Sequence, residues 1–212
     1  MPRNGSYASD IAFTPSVKAV QAARGSRSTY ERMEQAGSWA TSITPELKAF
    51  VETQTSVFLA TANQGGQPYI QHRGGPAGFL RVLDDRTIGL ADFAGNRQYI
   101  TVGNLRDNPK AHLFLIDYVT RQRIKIWGEA CVVENDSELT ARVKIAGYRA
   151  RVERVILITV SAWDANCPQH IPQRFDAAAV TAALAERDRR IAELEAHIAQ
   201  MTAAAAESAK GS

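Results

Sequence analysis

Cysteine is scarce in this chain, and long hydrophobic runs do not occur in it. Its two cysteines, Cys131 and Cys167, cannot form a disulfide framework, and neither stands in a CxxC or Cys/His metal-ligand spacing. We expect two small, partly buried thiols, no metal site and a reducing, cytoplasmic location. The longest apolar runs, such as Val155 to Ile158, are far too short to span a bilayer, and the first ten residues lack a signal peptide's apolar stretch. No membrane partner is therefore expected.

An excess of one charge is also missing. The chain has 25 Lys and Arg against 22 Asp and Glu, and no dense basic block accompanies the net charge of +3. We therefore expect no nucleic-acid partner. The motifs GxxxxGK[ST], GxSxG and HExxH do not occur, so nothing points to a P-loop enzyme, a nucleophile-elbow hydrolase or a zinc protease. The hydrophobic fraction of 45% is ordinary for a globular core.

The hydrophobic pattern predicts a mainly β (α+β) protein with three parts. Residues 1–43 are polar, and we interpret them as an N-terminal arm with short helices near 16–23 and 28–35. Residues 44–175 begin with a helix, because Thr44 can cap it and Pro45 suits its first position. Short strands separated by turns follow, with one helix inserted late. They predict a six-stranded antiparallel barrel, since the links are too short for parallel crossovers.

Residues 176–212 have another character and predict a long C-terminal amphipathic helix. Apolar residues recur there at spacings of three and four, from Ala177 through Leu184, Ile191 and Leu194 to Met201, with Arg187 interrupting. This seam is about three heptads long, which suits a helix packed on a partner but is marginal for a free coiled coil. The alternative is a helix that lies on its own barrel, and both interpretations stay open.

A glycine-rich strand is the most informative segment for function. Gln71 to Phe79 contains three glycines and a proline, which a strand rarely carries unless something approaches its backbone closely. A flat ring can lie against Gly74 and Gly75, since neither has a Cβ, and Arg73 adds a cationic fork. The alternative is a glycine-rich hairpin with a surface arginine.

A second candidate segment runs from Ala91 to Gln98, where a strand gives way to a helical turn. Backbone N–H groups at such a start favour an anion, and Arg97 can grip a phosphate through two parallel hydrogen bonds. Asn96 and Gln98 add neutral donors. The alternative is an asparagine cap followed by a solvated arginine.

Two further segments carry polar groups that a plain linker would lack. Arg121, Arg123 and Lys125 alternate along one predicted strand, so they form either a solvated basic face or a second wall around an anion. The two-proline segment from Trp163 to Arg174 holds amide, imidazole and guanidinium donors and is interpreted as a lid. His112, in an apolar strand, is predicted to be a core residue.

From about Pro45 to Ala165 the chain resembles the pyridoxamine 5′-phosphate oxidase-like family of FMN-binding split barrels. The resemblance rests on SVFLATA with GQPYIQHRGG, on TIGLADFAGNRQ with GNLRDNPKAHLFLIDY, and on RQRIKIWGEACVV, which follow the family's order. The flanking segments resemble a bacterial branch of that family. The resemblance implies a six-stranded antiparallel split β-barrel with flanking helices, and a homodimer that holds FMN across its subunit interface.

The resemblance also assigns roles to residues. It implies that His72, Arg73, Gly74 and Gly75 line the flavin ring and that Ala91 and Asp92 lie beside the ring or the ribityl chain. Arg97 becomes the main phosphate ligand, with Asn96 and with Gln98, which stands where the vitamin oxidases have lysine. Arg123 stands where they have glutamine, and Gln169 and Arg174 close the site with Trp163.

The expected function is that of an FMN-dependent oxidoreductase acting on a small molecule. The vitamin oxidases carry an RPRGSQ-like run that grips the substrate phosphate, and the corresponding ELTARVKIAGYRARVERV lacks it. Pyridoxamine phosphate is therefore not the expected substrate, and no catalytic residue is chosen. The alternatives are a non-catalytic flavin carrier or haem binder using His72 or His170, and an interaction module acting through the C-terminal helix.

Overall fold

A computed structural model describes residues 6–166 and 168–210, with side chains described as far as residue 206. The chain divides into two units: Met1–Asp117 with Arg121–Ile171, and Tyr118–Thr120 with Pro172–Ser212. Cys131 is exposed rather than partly buried, because it occupies an outward-facing position between Ala130 and Val132. The prediction for Cys167 falls outside the described residues.

The first unit contains five helices and seven strands among its described residues. A 3₁₀ turn, Ala8–Ile11, precedes the helices, which are α1 (Pro15–Ala23), α2 (Arg27–Gln35), α3 (Pro45–Thr53), α4 (Ile100–Asp107) and α5 (Ser137–Val143). The strands are β1 (Ser56–Ala62), β2 (Pro68–Gly74), β3 (Leu80–Val82), β4 (Thr87–Phe93), β5 (Lys110–Asp117), β6 (Gln122–Val133) and β7 (Val152–Asn166).

Helix starts follow local capping chemistry. The Thr44 hydroxyl accepts a hydrogen bond from the Leu47 N–H at 3.2 Å, and Pro45 occupies the first helical position of α3, as predicted. Asp136 caps α5 in the same way, through the Leu139 N–H at 2.8 Å. These caps satisfy backbone donors that have no partner within the helix.

All seven strands form one antiparallel sheet in the order β2-β1-β5-β6-β7-β4-β3. The predicted barrel is confirmed, with seven strands where six were expected, because the three-residue β3 pairs separately with β4. The sheet must curl. Seven strands laid flat would span about 29 Å, whereas the chain from Gly74 on one edge to Leu80 on the other reaches at most about 22 Å.

The curled sheet surrounds one hydrophobic core. Leu47 and Val51 of α3 pack there against inward residues of β1 and β3 to β7, including Leu59, Ile126 and Ile158. Burial of such side chains stabilises the fold by about 1.5–3 kcal/mol each. A smaller cluster places Val143 of α5 against Ala91 and Val155, and so anchors the end of β4.

The N-terminal arm packs against β6 and β7. The Trp39 ring stacks on Trp127 with centroids 4.6 Å apart, and Ala40 forms a backbone bridge to Trp163. The Trp163 indole N–H donates to the Ser42 carbonyl at 2.8 Å. Three tryptophans therefore fasten the arm to the sheet.

The second unit consists mainly of α6 (Ala177–Lys210). Its preceding segment contacts residues 118–120: the Arg174 N–H donates to the Tyr118 carbonyl at 3.2 Å, and the Arg174 guanidinium lies 4.4 Å from the Tyr118 ring centroid. The long C-terminal helix is as predicted.

Candidate functional site

A polar cavity of about 210 Å³ opens in the first unit, between β2, the end of β4, the start of α4 and the start of β7. The two edge-proximal strands β2 and β4 meet there only because the sheet curls. Arg73 from β2 and Arg97 from the turn after β4 both line this cavity. The two segments that sequence patterns single out therefore face one space.

Alternate residues of β2 form one wall. Tyr69, Gln71 and Arg73 line the cavity, as the two-residue repeat of a strand requires. The Gln71 side-chain oxygen accepts a hydrogen bond from the Thr101 hydroxyl at 2.9 Å, which ties β2 to the first turn of α4. This wall is therefore held in place by a polar contact with α4.

An ion-pair network forms the floor. The Asp92 carboxylate, only 4% exposed, pairs with the Arg73 guanidinium and lies 3.5 Å from an Arg154 nitrogen. Arg154 also lies 3.2 Å from the Glu153 and Glu134 carboxylates. Burial raises the pKa of Asp92 above its ordinary value, and the charges of Arg73 and Arg154 oppose that rise. The network orients both guanidiniums.

An irregularity in strand pairing brings two neighbouring residues of β7 to this floor. Asp92 pairs with Arg154, whereas Phe93 pairs with Val152, so Glu153 is the extra residue of a β-bulge. A regular strand would send Glu153 and Arg154 to opposite faces, but both line the cavity. The bulge therefore places a carboxylate and a guanidinium at the same site.

The turn between β4 and α4 adopts strained backbone geometry. Arg97 and Tyr99 have φ angles of 61° and 54°, which side chains with a Cβ rarely adopt. The Asn96 side-chain oxygen accepts from the Gln98 N–H at 3.2 Å, and Arg97 Nε donates to the Tyr99 hydroxyl at 3.3 Å. That hydrogen bond raises the pKa of Arg97 further, so its exposed guanidinium stays charged. Strain of this kind concentrates at binding sites.

Helix α4 begins at the cavity without a side-chain cap. Its N-cap residue, Tyr99, makes no capping hydrogen bond, and residues 100–102 line the cavity. Backbone N–H groups of a helix's first turn lack intrahelical partners and carry the positive end of the helix dipole. An anion placed there would gain hydrogen bonds and a favourable field.

The donor set fits a phosphate-bearing cofactor. Three guanidiniums (Arg73, Arg97 and Arg154) and two carboxylates (Asp92 and Glu153) line the cavity, which leaves an excess of one positive charge. Arg73 Nε is buried and has no hydrogen-bond partner within residues 6–166 and 168–210. A buried donor of this kind favours a ligand that supplies an acceptor.

The structure brings together five of the residues singled out from the sequence: Arg73, Asp92, Asn96, Arg97 and Gln98. The others do not line this cavity. His72 points to the opposite face of β2, where its Nε2 lies 2.8 Å from the Ser56 hydroxyl. Gly74, Gly75, Ala91, Arg123 and Gln169 also lie outside it, and Arg174 belongs to the second unit.

The glycine tract has a packing reason within the chain itself. A Cβ on Gly75 would lie 2.7 Å from the Phe79 Cβ, and Gly78 has a φ of 86°. Phe79 is fully buried. The close approach inferred from the sequence therefore exists, but at Gly75 the approaching group is Phe79.

The predicted basic strand face is shorter than expected. Arg123 and Lys125 alternate on β6, but Arg121 precedes the strand with a left-handed φ of 55°. Lys125 lies 3.9 Å from Asp164 and 5.7 Å from the Trp127 ring centroid. Arg121 therefore belongs to the turn before β6.

Sequence reasoning gave no site role to five residues that line the cavity: Tyr69, Gln71, Thr101, Glu153 and Arg154. The alternation of β2 could have revealed Tyr69 and Gln71, since they share a face with Arg73. No sequence pattern indicates Glu153 and Arg154, because their position at the cavity depends on a β-bulge and on the pairing of β4 with β7. Within the described residues there is no cluster of His, Cys, Asp and Glu suited to a metal ion.

The profile of a family described as pyridoxamine 5′-phosphate oxidase matches residues 43–167, more than half of the chain. The chain belongs to this family. The resemblance drawn from its sequence motifs is thereby confirmed. None of the curated protein sequences is similar enough to count as a relative.

Solved structures are similar to this chain at low identity. HupZ of Group A Streptococcus is 24% identical, with a TM-score of 0.48 over 63% of this chain and 99% of HupZ. An FMN-binding protein of Syntrophomonas wolfei is 15% identical, with a TM-score of 0.45 over 70% and 97% of the two chains. General Stress Protein 26 of Bacillus anthracis is 17% identical, with a TM-score of 0.43 over 55% and 88%.

Among the helices of the described residues, none combines the length and the apolar character needed to cross a bilayer.

Proposed function

We propose that this protein binds FMN and acts as an oxidoreductase on a small molecule. The observation that carries this proposal is the shared cavity of Arg73 and Arg97 at the uncapped start of α4. Membership of the pyridoxamine 5′-phosphate oxidase family supports a flavin rather than another phosphate compound. Bound FMN would supply hydride transfer, and the protein would bind and orient it.

The phosphate would lie at the turn of residues 96–99. The Arg97 side chain is exposed at the cavity, and its Nε donates to the neutral hydroxyl of Tyr99. Its guanidinium can therefore turn to a phosphate at little cost. Asn96, Gln98 and the N–H groups of residues 100–102 would add hydrogen bonds. Arg73 would direct its unused Nε to an acceptor deeper in the site.

A single copy of the chain offers too little enclosed space for the whole cofactor. The cavity has about 210 Å³, whereas pockets that enclose ligands of this size measure about 300–1,000 Å³. We therefore infer a homodimer in which a second copy completes the flavin-ring site. His72, Gly74, Gly75, Ala91, Arg123, Gln169 and Arg174 stay predicted ring-side or closing residues of that dimer.

The substrate is proposed to differ from pyridoxamine phosphate. The region that would hold an arginine-rich phosphate grip folds into α5 and the start of β7. Of its charged residues, Glu153 and Arg154 reach the cavity, and there they pair with each other at 3.2 Å. The Glu153 carboxylate would repel a second phosphate, so an uncharged or cationic small molecule is the better match.

The decisive experiment identifies what the purified protein holds. We expect absorbance bands near about 370 and 450 nm from the flavin itself, and mass spectrometry of the molecule released on denaturation should give the mass of FMN. A deazaflavin mass or a Soret band would replace FMN with another cofactor. A colourless protein that takes up no added FMN would rule the proposal out.

A turnover assay distinguishes an oxidoreductase from a non-catalytic flavin carrier. An oxidoreductase should pass electrons from NADH or NADPH through its bound flavin to an acceptor repeatedly. A flavin carrier would be reduced slowly or not at all and would show no turnover. That result would leave FMN binding in place and remove the enzymatic part of the proposal.

Replacing the proposed phosphate ligand should weaken FMN binding. Arg97→Ala removes a charge-assisted contact, so we expect the Kd of FMN to rise roughly tenfold or more. Fluorescence quenching of FMN on titration measures this. Arg32→Ala, an exposed arginine of α2 that lines no part of the cavity, is the matched control and should bind as the unaltered protein does. Equal affinities for the two variants would remove Arg97 from the site.

A further inference from the structure

Helix α6 exposes a row of large apolar side chains. The row consists of Val180, Leu184, Ile191, Leu194, Ile198 and Met201, each between 42% and 61% exposed. The helix has 34 residues and is therefore about 50 Å long. A soluble surface does not keep such a continuous apolar row open to water without a partner.

The row follows a heptad repeat in which Arg187 is the one charged residue. Leu184, Ile191 and Ile198 occupy the a positions, and Val180, Leu194 and Met201 occupy d positions, with Arg187 as the remaining d residue. This alternation of four and three residues forms the seam of a left-handed coiled coil. In the second half of the seam, Ile191 and Ile198 at a flank Leu194 at d, a combination that favours two strands.

Charges beside the seam select the relative direction of the two helices. The e positions carry Asp188 and Glu195, and the g positions carry Arg190 and His197. In a parallel pair each g residue faces the following e residue of the partner, which brings Arg190 opposite Glu195 twice. An antiparallel pair would set acid against acid and base against base. Charge complementarity therefore favours a parallel second copy.

The side chains of Arg190 and Glu195 are available for contact with a second helix. Within residues 6–166 and 168–210, Glu195 forms no ion pair. Arg190 contacts Glu193 of its own helix at 2.9 Å, and both side chains are more than half exposed. An exposed contact of this kind is weak, so Arg190 can also reach across a helix pair.

Arg187, a charged residue at a d position, would fix the alignment of the two helices. A polar residue at a single core position lowers the stability of a coiled coil but fixes its alignment. In the parallel, in-register arrangement, each Arg187 lies beside the acidic e residue Asp188 of the other helix. Asp188 is already 3.9 Å from Arg187 within one helix.

We infer that α6 pairs with α6 of a second copy as a parallel, in-register, two-stranded coiled coil. This interface uses α6 of the second unit, whereas the cavity of the proposed cofactor site is lined by residues of the first unit. It commits residues 177–205 to self-association rather than to a foreign partner.

Cysteine cross-linking of the full chain tests the register. In a background of Cys131→Ser and Cys167→Ser, Ile191→Cys should form an interchain disulfide under mild oxidation, because identical a residues face each other. Arg189→Cys, at the outward f position, is the matched control and should cross-link at least about tenfold more slowly. Equal, slow cross-linking of both variants would overturn the inference. That result is the one expected if the helix packs on its own barrel instead.

A charge exchange tests the direction independently. Glu195→Arg turns two attractions into two repulsions, so we expect roughly tenfold less cross-linking of the Ile191→Cys chain. The double variant Arg190→Glu with Glu195→Arg restores opposite charges and should recover the original yield. Loss without recovery, or no loss at all, would contradict the parallel pairing.

Discussion

His112 shows how one partly buried side chain makes the barrel sensitive to acid. It alternates with the inward-facing Ala111 and Leu113 on β5, so it is not the core residue that the sequence predicted. It lies on β5 opposite Trp127 of β6, with ring centroids 4.8 Å apart. Burial lowers the pKa of His112 below its ordinary value, and the nearby Lys125 charge lowers it further. The folded state therefore binds this proton less tightly than the unfolded state does.

The lowered pKa of His112 should make the fold less stable in acid. Below the unfolded pKa of about 6.5, the unfolded chain holds a proton that folded His112 lacks. Stability should then fall as the pH decreases, by no more than about 1.4 kcal/mol per pH unit for one proton. His112→Phe keeps an aromatic ring against Trp127 and removes the titration.

Urea unfolding at pH 7.5 and at a pH near 5.5 measures this effect. The His112→Phe variant should lose less stability on acidification than the unaltered chain. His197→Phe, which replaces an exposed histidine of α6, should leave the acid sensitivity of the barrel unchanged. Identical pH profiles for the His112 variant and the unaltered chain would remove His112 as its source.

The start of α4 shows where element prediction succeeds and where it stops. A helical turn was expected within residues 91–98, but α4 begins only at Ile100, because Arg97 and Tyr99 adopt left-handed backbone angles. No local rule assigns that conformation to arginine or tyrosine. The start of α3, by contrast, was predictable, since Thr44 and Pro45 carry their capping roles in any context.

Two glycines, one just after β2 and one inside α4, should respond oppositely to the same substitution. Gly75→Ala places a Cβ against fully buried Phe79, so we expect a loss of about 1–3 kcal/mol of stability. Gly103→Ala lies inside α4 with nothing within 4 Å of the added Cβ. It should stabilise the protein by about 0.5–1 kcal/mol.

Chemical denaturation of the two variants provides the comparison. Because each is the other's control, an effect of the extra methyl group in general would shift both in the same direction. A Gly75→Ala variant as stable as the unaltered chain would show that the backbone at residue 75 can shift away from the Phe79 side chain. Close packing against Phe79 would then not explain why residue 75 is glycine.

At the scale of the whole molecule, the barrel holds its own core. The buried core clusters of the described residues contain no member from the second unit. A chain truncated after Phe175 should therefore unfold at nearly the same temperature as the full chain. Differential scanning calorimetry of the two proteins measures this, and a large drop for the truncated chain would show that α6 supports the barrel.

The truncated chain also locates the proposed cofactor-bearing interface. We expect it to remain dimeric by analytical ultracentrifugation and to keep its affinity for FMN, because the proposed flavin site uses β2, β4, α4 and β7. A monomeric truncated chain would place the main interface on α6 instead. Dimerisation would then depend on the coiled coil, and these experiments would detect no dimer interface on the barrel.

The sequence by itself determined the capped start of α3, the antiparallel strands, the long C-terminal helix and the family, because capping, alternation and motif order are local properties of the chain. It also singled out Arg73 and Arg97. Only the tertiary structure decided that β2 and β4 meet at one cavity and that a bulge turns Glu153 toward it. These features depend on how twist and strand register accumulate across seven strands, and no short segment encodes that sum.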